Sequence, residues 1–88
     1  MIFVRVWVQW RGGVLDYSYD LLVGRQIRAV REEKGLTQEQ LSARLQTCGC
    51  DVTRSALAKM EVGQRHIYAA ELRALQKILD VPYETLLP

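Results

Sequence analysis

Apolar residues recur along this chain at two different spacings. Over residues 2–11 the spacing is two, with Ile2, Val4, Val6, Val8 and Trp10 alternating with Phe3, Arg5, Trp7, Gln9 and Arg11, which is the period of a β-strand. Gly12-Gly13 can turn the chain into residues 14–19, where Leu15, Tyr17 and Tyr19 alternate again. The pattern predicts an N-terminal β-hairpin or extended arm. A lone two-stranded hairpin is marginally stable in water, and this one would show tryptophans or valines to solvent unless covered. A dimerisation arm is one reading; the others are a hairpin folded back on its own helices, or a disordered extension.

From about Gly24 the spacing becomes helical. The basic stretch from Gly24 to Lys34 reads as a helix stopped by Gly35, a residue suited to the left-handed position just past a helix end, with Lys34 complementing the negative terminus. Thr37 with Gln40 three positions on forms a capping box, so a second helix starts at Thr37. Leu41 and Leu45 fall on one face of it, with Glu39, Gln40 and Arg44 outward. Thr53 can cap a third helix that buries Leu57 and Met60, carries Arg54, Ser55, Ala58 and Lys59 on its other side, and stops at Val62-Gly63. Leu72, Leu75, Ile78 and Leu79 mark a fourth, and Pro82 suits the first turn of a short last helix near Leu86-Leu87.

The order Gly-Leu-Thr-Gln-x-x-Leu, then Thr-Arg-Ser-x-Leu-x-Lys-Met-Glu-x-Gly, then Glu-Leu-x-x-Leu-x-x-x-Leu-x-Val resembles the Cro/phage-repressor helix-turn-helix family, also called the XRE family, over roughly residues 22–87. The fold expected is mainly α: a four-to-five-helix repressor-like domain over residues 21–88, preceded by the hairpin or arm over residues 1–20. One departure stands out. Residues 46–52 separate Leu45 from Thr53, longer than the usual turn of three or four residues. A helix continued through Gln46, Thr47 and Cys48, with Gly49 as its stop and Val52 dropping into the core, restores a normal turn.

The resemblance implies roles. In such motifs the second helix enters the major groove while the first crosses the phosphate backbone. Arg54, Ser55 and Lys59 then become candidate base readers: Arg54 can grip guanine O6 and N7, Ser55 reads loosely, and Lys59 takes guanine acceptors or a phosphate. Gln38, at a helix N-terminus where orphan N–H groups favour an anion, is a candidate phosphate contact. Thr53, Arg65 and His66 are others, the bland reading of His66 being a neutral loop imidazole. Arg25 and Arg28 read as phosphate contacts or ordinary surface. Arg31 and Glu61 occupy the positions of a structural ion pair.

Composition narrows the function classes. The 88 residues suffice for one domain, and a net charge of +2 is too small to argue for nucleic acid by itself. No apolar run is long enough to span a membrane, and residues 1–10 lack a signal-peptide pattern, which predicts a cytoplasmic protein. Two cysteines, Cys48 and Cys50, and one histidine are too few for a zinc site within one chain. In a reducing compartment they read as thiols near a turn, one partly buried. No nucleophile has a base at motif spacing, so an enzyme is not expected, nor is a cofactor or small-molecule ligand. The function expected is a sequence-specific transcriptional regulator, a repressor binding double-stranded DNA as a homodimer on a palindromic operator. The alternative is a protein-interaction or antitoxin-like module of the same fold.

Overall fold

The computed structural model describes residues 18–88. They form five helices: α1 (Ser18–Glu33), α2 (Gln38–Thr47), α3 (Arg54–Glu61), α4 (Ala69–Leu79) and α5 (Tyr83–Leu86). The alternating residues 2–11 lie outside the described residues, as does most of the second expected strand. Its end does not: Ser18 and Tyr19, read by alternation as strand, and Asp20, assigned to the arm, are the opening turn of α1. Asp20 puts a carboxylate at the positive end of that helix, and Tyr19 falls into helical register with Leu22 and Gln26.

Local chemistry sets the helix ends. Thr37 accepts the Gln40 N–H at 3.0 Å while the Gln40 side chain accepts the Thr37 N–H at 2.9 Å, the capping box that opens α2. Thr53 accepts the Ala56 N–H at 3.1 Å and opens α3. Pro82 sits one position outside the first turn of α5, as its cap. Three helices close in the same way. At the end of α1, Leu36 N–H donates to Arg31 C=O and Gly35 N–H to Glu32 C=O; after α2, Cys50 donates to Leu45 and Gly49 to Gln46; after α3, Gln64 donates to Lys59 and Gly63 to Met60. This is the paired C-terminal closure that requires a left-handed residue, and Gly35, Gly49 and Gly63 supply it with φ of 73°, 86° and 75°.

One core fills the space between the helices. Val23, Ile27 and Val30 of α1 meet Leu41 and Leu45 of α2, Leu57 and Met60 of α3, Ala74, Leu75 and Leu79 of α4 and Leu86 of α5. Val52, in the turn between α2 and α3, is fully buried with them. α2 runs through Thr47, one residue short of the expected Cys48, which is its C-cap, and with the stop at Gly49 this delivers Val52 inward. Gly24 is buried where α1 crosses α3, and a Cβ there would run into the Met60 carbonyl oxygen.

Candidate nucleic-acid interface

Helix α3 is short and two-sided. Leu57, Met60 and Glu61 are buried, while Arg54, Ser55 and Lys59 are exposed. The side chains of these three make no hydrogen bond or ion pair with any described residue. Their direction is fixed from behind. Ser42 Oγ donates to the Val52 carbonyl at 2.7 Å and Gln46 Nε2 to the same oxygen at 3.3 Å, tying the turn to α2 immediately before α3 begins. The long connection after Leu45 thus ends in a pinned turn.

Arg54 does not stand alone. Arg28 and Arg31 of α1, Thr37, Gln38 and Glu39 at the start of α2, and Arg54 line one open concavity. It brings the N-terminus of α2, with its unpaired N–H groups and positive dipole end, beside three arginines. Arg28 is held only loosely, 3.6 Å from Glu32 on an exposed face.

Beneath the concavity lies the ion pair. Arg31 Nε and Nη2 donate to the two Glu61 carboxylate oxygens at 2.7 and 3.0 Å, and Arg31 Nη1 donates to the Leu36 carbonyl at 2.9 Å. The two side chains are only 9% and 1% exposed. The Glu61 hydrogen bond, with its negative charge, raises the Arg31 pKa above the ordinary guanidinium value despite burial. Gln38 joins them, its Nε2 donating to Glu61 at 3.0 Å. One of its two amide hydrogens is thus spent inside the domain, and the other, with the backbone of α2, remains for a partner.

The loop after α3 carries Arg65 and His66, and the structure engages both. Arg65 forks onto Glu71 at 2.8 and 2.7 Å and donates to the His66 carbonyl at 2.9 Å. Glu71 also accepts the Tyr68 N–H at 3.0 Å and so caps α4. The Arg65 hydrogen bonds hold the Glu71 carboxyl below the usual carboxylate range, and the Arg65 pKa rises in turn. His66 Nδ1 lies 3.1 Å from Asp20, whose other oxygen accepts the Ile67 N–H. Tyr68 meets the His66 ring edge-on at 4.8 Å. The sequence reading missed Asp20 and Glu71. Glu71 had a signal, since an acid in the third position of a helix reaches back to the N-cap; Asp20 lies 46 positions from His66 and had none.

Cys48 is exposed and Cys50 half-buried, both as free thiols. Among the described residues no three His, Cys, Asp or Glu side chains gather as metal ligands, and no helix is long and apolar enough to cross a membrane.

Comparison with known proteins agrees with this geometry. A family model described as helix-turn-helix matches residues 27–86. The chain is similar to the restriction-modification controller protein C.AhdI from Aeromonas hydrophila, with 30% identity, covering 80% of this chain and 94% of that one at a TM-score of 0.68. It also shares its fold with the DNA-binding domain of BldD, at 23% identity, covering 84% of this chain and 100% of that one, with a TM-score of 0.69. No curated protein matches.

Proposed function

The chain belongs to the helix-turn-helix family of the XRE type and is a DNA-binding transcriptional regulator, not an enzyme; from that premise we propose that it acts in the cytoplasm as a dimeric repressor on a palindromic operator. The observation that carries the reading is the outer side of α3. Arg54, Ser55 and Lys59 are presented there without internal partners, so contacting a base edge breaks nothing in the fold.

In the proposed complex α3 lies in the major groove, with Arg54 bidentate on a guanine and Lys59 one turn on. The N-terminus of α2, with the remaining amide hydrogen of Gln38, takes a phosphate oxygen, and Thr53 lies at the edge of the same strand. Arg65 and His66 contribute less than their position suggests, because Glu71 and Asp20 already face them. Occupancy of a promoter is the mode of control proposed. A symmetric dimer would space its half-sites about 34–36 Å apart.

Selection from a randomised duplex library tests this. A palindrome should be enriched, and Arg54→Ala should lose about 1–3 kcal/mol at one base position in each half-site. Equal loss on all sequences would reassign Arg54 to the backbone, and weak, sequence-blind binding abolished by moderate salt would remove the operator reading.

A further inference from the structure

Helix α3 is held at its two ends by different means. Its buried side chains, Leu57, Met60 and Glu61, lie in its second half, where Arg31 and Gln38 grip the Glu61 carboxylate. Arg54 and Ser55 open the helix, both exposed, and Ala56 is half-buried. What fixes this first half is the turn in front of it.

That turn hangs on one carbonyl. Val52 C=O, adjoining the Thr53 cap, accepts Ser42 Oγ at 2.7 Å and Gln46 Nε2 at 3.3 Å. The two donors are four residues apart and so stand one turn above the other on one face of α2. Ser42 is 4% exposed and Val52 fully buried, so water does not compete for the shorter bond. On its other side the turn is tied to itself and to α2, with Val52 N–H donating to the Cys50 carbonyl at 2.8 Å and Cys50 N–H to the Leu45 carbonyl at 2.9 Å. A serine inside a helix is ordinarily unfavourable, because its hydroxyl competes for nearby backbone groups. Here the hydroxyl reaches a carbonyl ten positions on, outside the helix.

We propose that Ser42, supported by Gln46, is a positioning residue for base reading: its grip on the Val52 carbonyl sets where the N-terminal end of α3 sits in the groove. This rests on the operator reading and specifies what aims the helix. Arg54 lies seven residues before Glu61, about 10 Å along the helix axis. A tilt of about 10° that pivots at the Glu61 end moves the backbone at Arg54 by about 2 Å and at Lys59, two residues from the pivot, by only about 0.5 Å. A bidentate guanine contact requires both hydrogen bonds to stay within about 2.7–3.2 Å. Slack at Val52 is therefore felt by Arg54 and Ser55 far more than by Lys59.

The test compares the full chain with Ser42→Ala and Gln46→Ala. Gln46 is exposed and Ser42→Ala leaves the Val52 carbonyl one donor, so thermal melts should find both variants folded at the assay temperature. Arg54→Ala and Lys59→Ala mark the base position that each side chain reads, and affinities for duplexes substituted at those positions give the discrimination there. Ser42→Ala should lose about tenfold in discrimination at the Arg54 position and less than about twofold at the Lys59 position, with non-specific affinity and its salt dependence unchanged. Gln46→Ala should show a smaller loss at the same position, and in an Arg54→Ala background Ser42→Ala should cost little more. Equal losses at both positions, losses that follow the unfolded fraction, additivity with Arg54→Ala, or no loss at all would reduce Ser42 to a packing residue and leave the operator reading standing. A preference that ignores Arg54 overturns the clasp, and a parent chain without base preference anywhere overturns the operator reading as well.

Discussion

Glu61 accepts three hydrogen bonds from two helices, two from Arg31 and one from Gln38, and with its side chain 1% exposed no water can replace a missing donor. A buried pair of this kind adds little net stability, yet removing one partner strands the other charge. Arg31→Ala should therefore cost on the order of 3–5 kcal/mol in denaturant unfolding, and its loss of DNA binding should track the unfolded fraction. Arg31→Lys should rescue little, because one ammonium cannot fork onto the carboxylate and also reach the Leu36 carbonyl. The pair itself was visible only through family resemblance, since nothing in the spacing of two residues thirty positions apart joins them. The Gln38 bond to Glu61 was not visible at all. An amide at the first turn of a helix serves an anion outside or a carboxylate inside equally well, and only the meeting of α2 with the end of α3 decides which.

At the scale of elements, what could be read was punctuation. Gly35, Gly49 and Gly63 each stand where a helix must close, and the left-handed φ of all three follows from that. Thr37 and Thr53 announce their helices through short-range bonds that four residues of sequence contain in full. The boundary that alternation misplaced is the one where two periods overlap. Tyr17 and Tyr19 fit a spacing of two, Tyr19, Leu22 and Gln26 fit a helix, and packing of α1 on α5 settled it for the helix. Gly24 was legible as a residue but not as a contact. Ordinary helix propensity favours alanine there by about 1 kcal/mol, yet the added Cβ would meet the Met60 carbonyl, a backbone group that cannot swing aside. Gly24→Ala should lower stability by roughly 1–3 kcal/mol through the overpacking of α1 on α3, read as a fall in melting temperature. A rise instead would mean that α1 can slide without loss.

For the whole molecule, the acid limb of stability has an identifiable contributor. The Glu71 carboxyl is held below its ordinary value by Arg65, so its stabilising effect is complete above the unfolded carboxylate range and is lost as pH falls through the lowered folded value. Thermal melts from pH 6 down to pH 2 should show stability declining below about pH 4.5, the ordinary carboxylate value, and Glu71→Gln should flatten that decline while lowering stability near neutrality. A Glu71→Gln protein whose acid limb matches the parent would assign the decline to other carboxylates. The remaining charges divide into two populations. Arg31 and Arg65 are paired, whereas Arg54 and Lys59 are not. That division bears on any attempt to redirect the protein to a new sequence. Randomising positions 54, 55 and 59 alters chemistry that no other described part of the chain relies on, so nearly every member of such a library should fold and the screen would report preference alone. Including position 38 or 61 would mix altered preference with collapse of the domain, and the losers of the screen would no longer say why they lost.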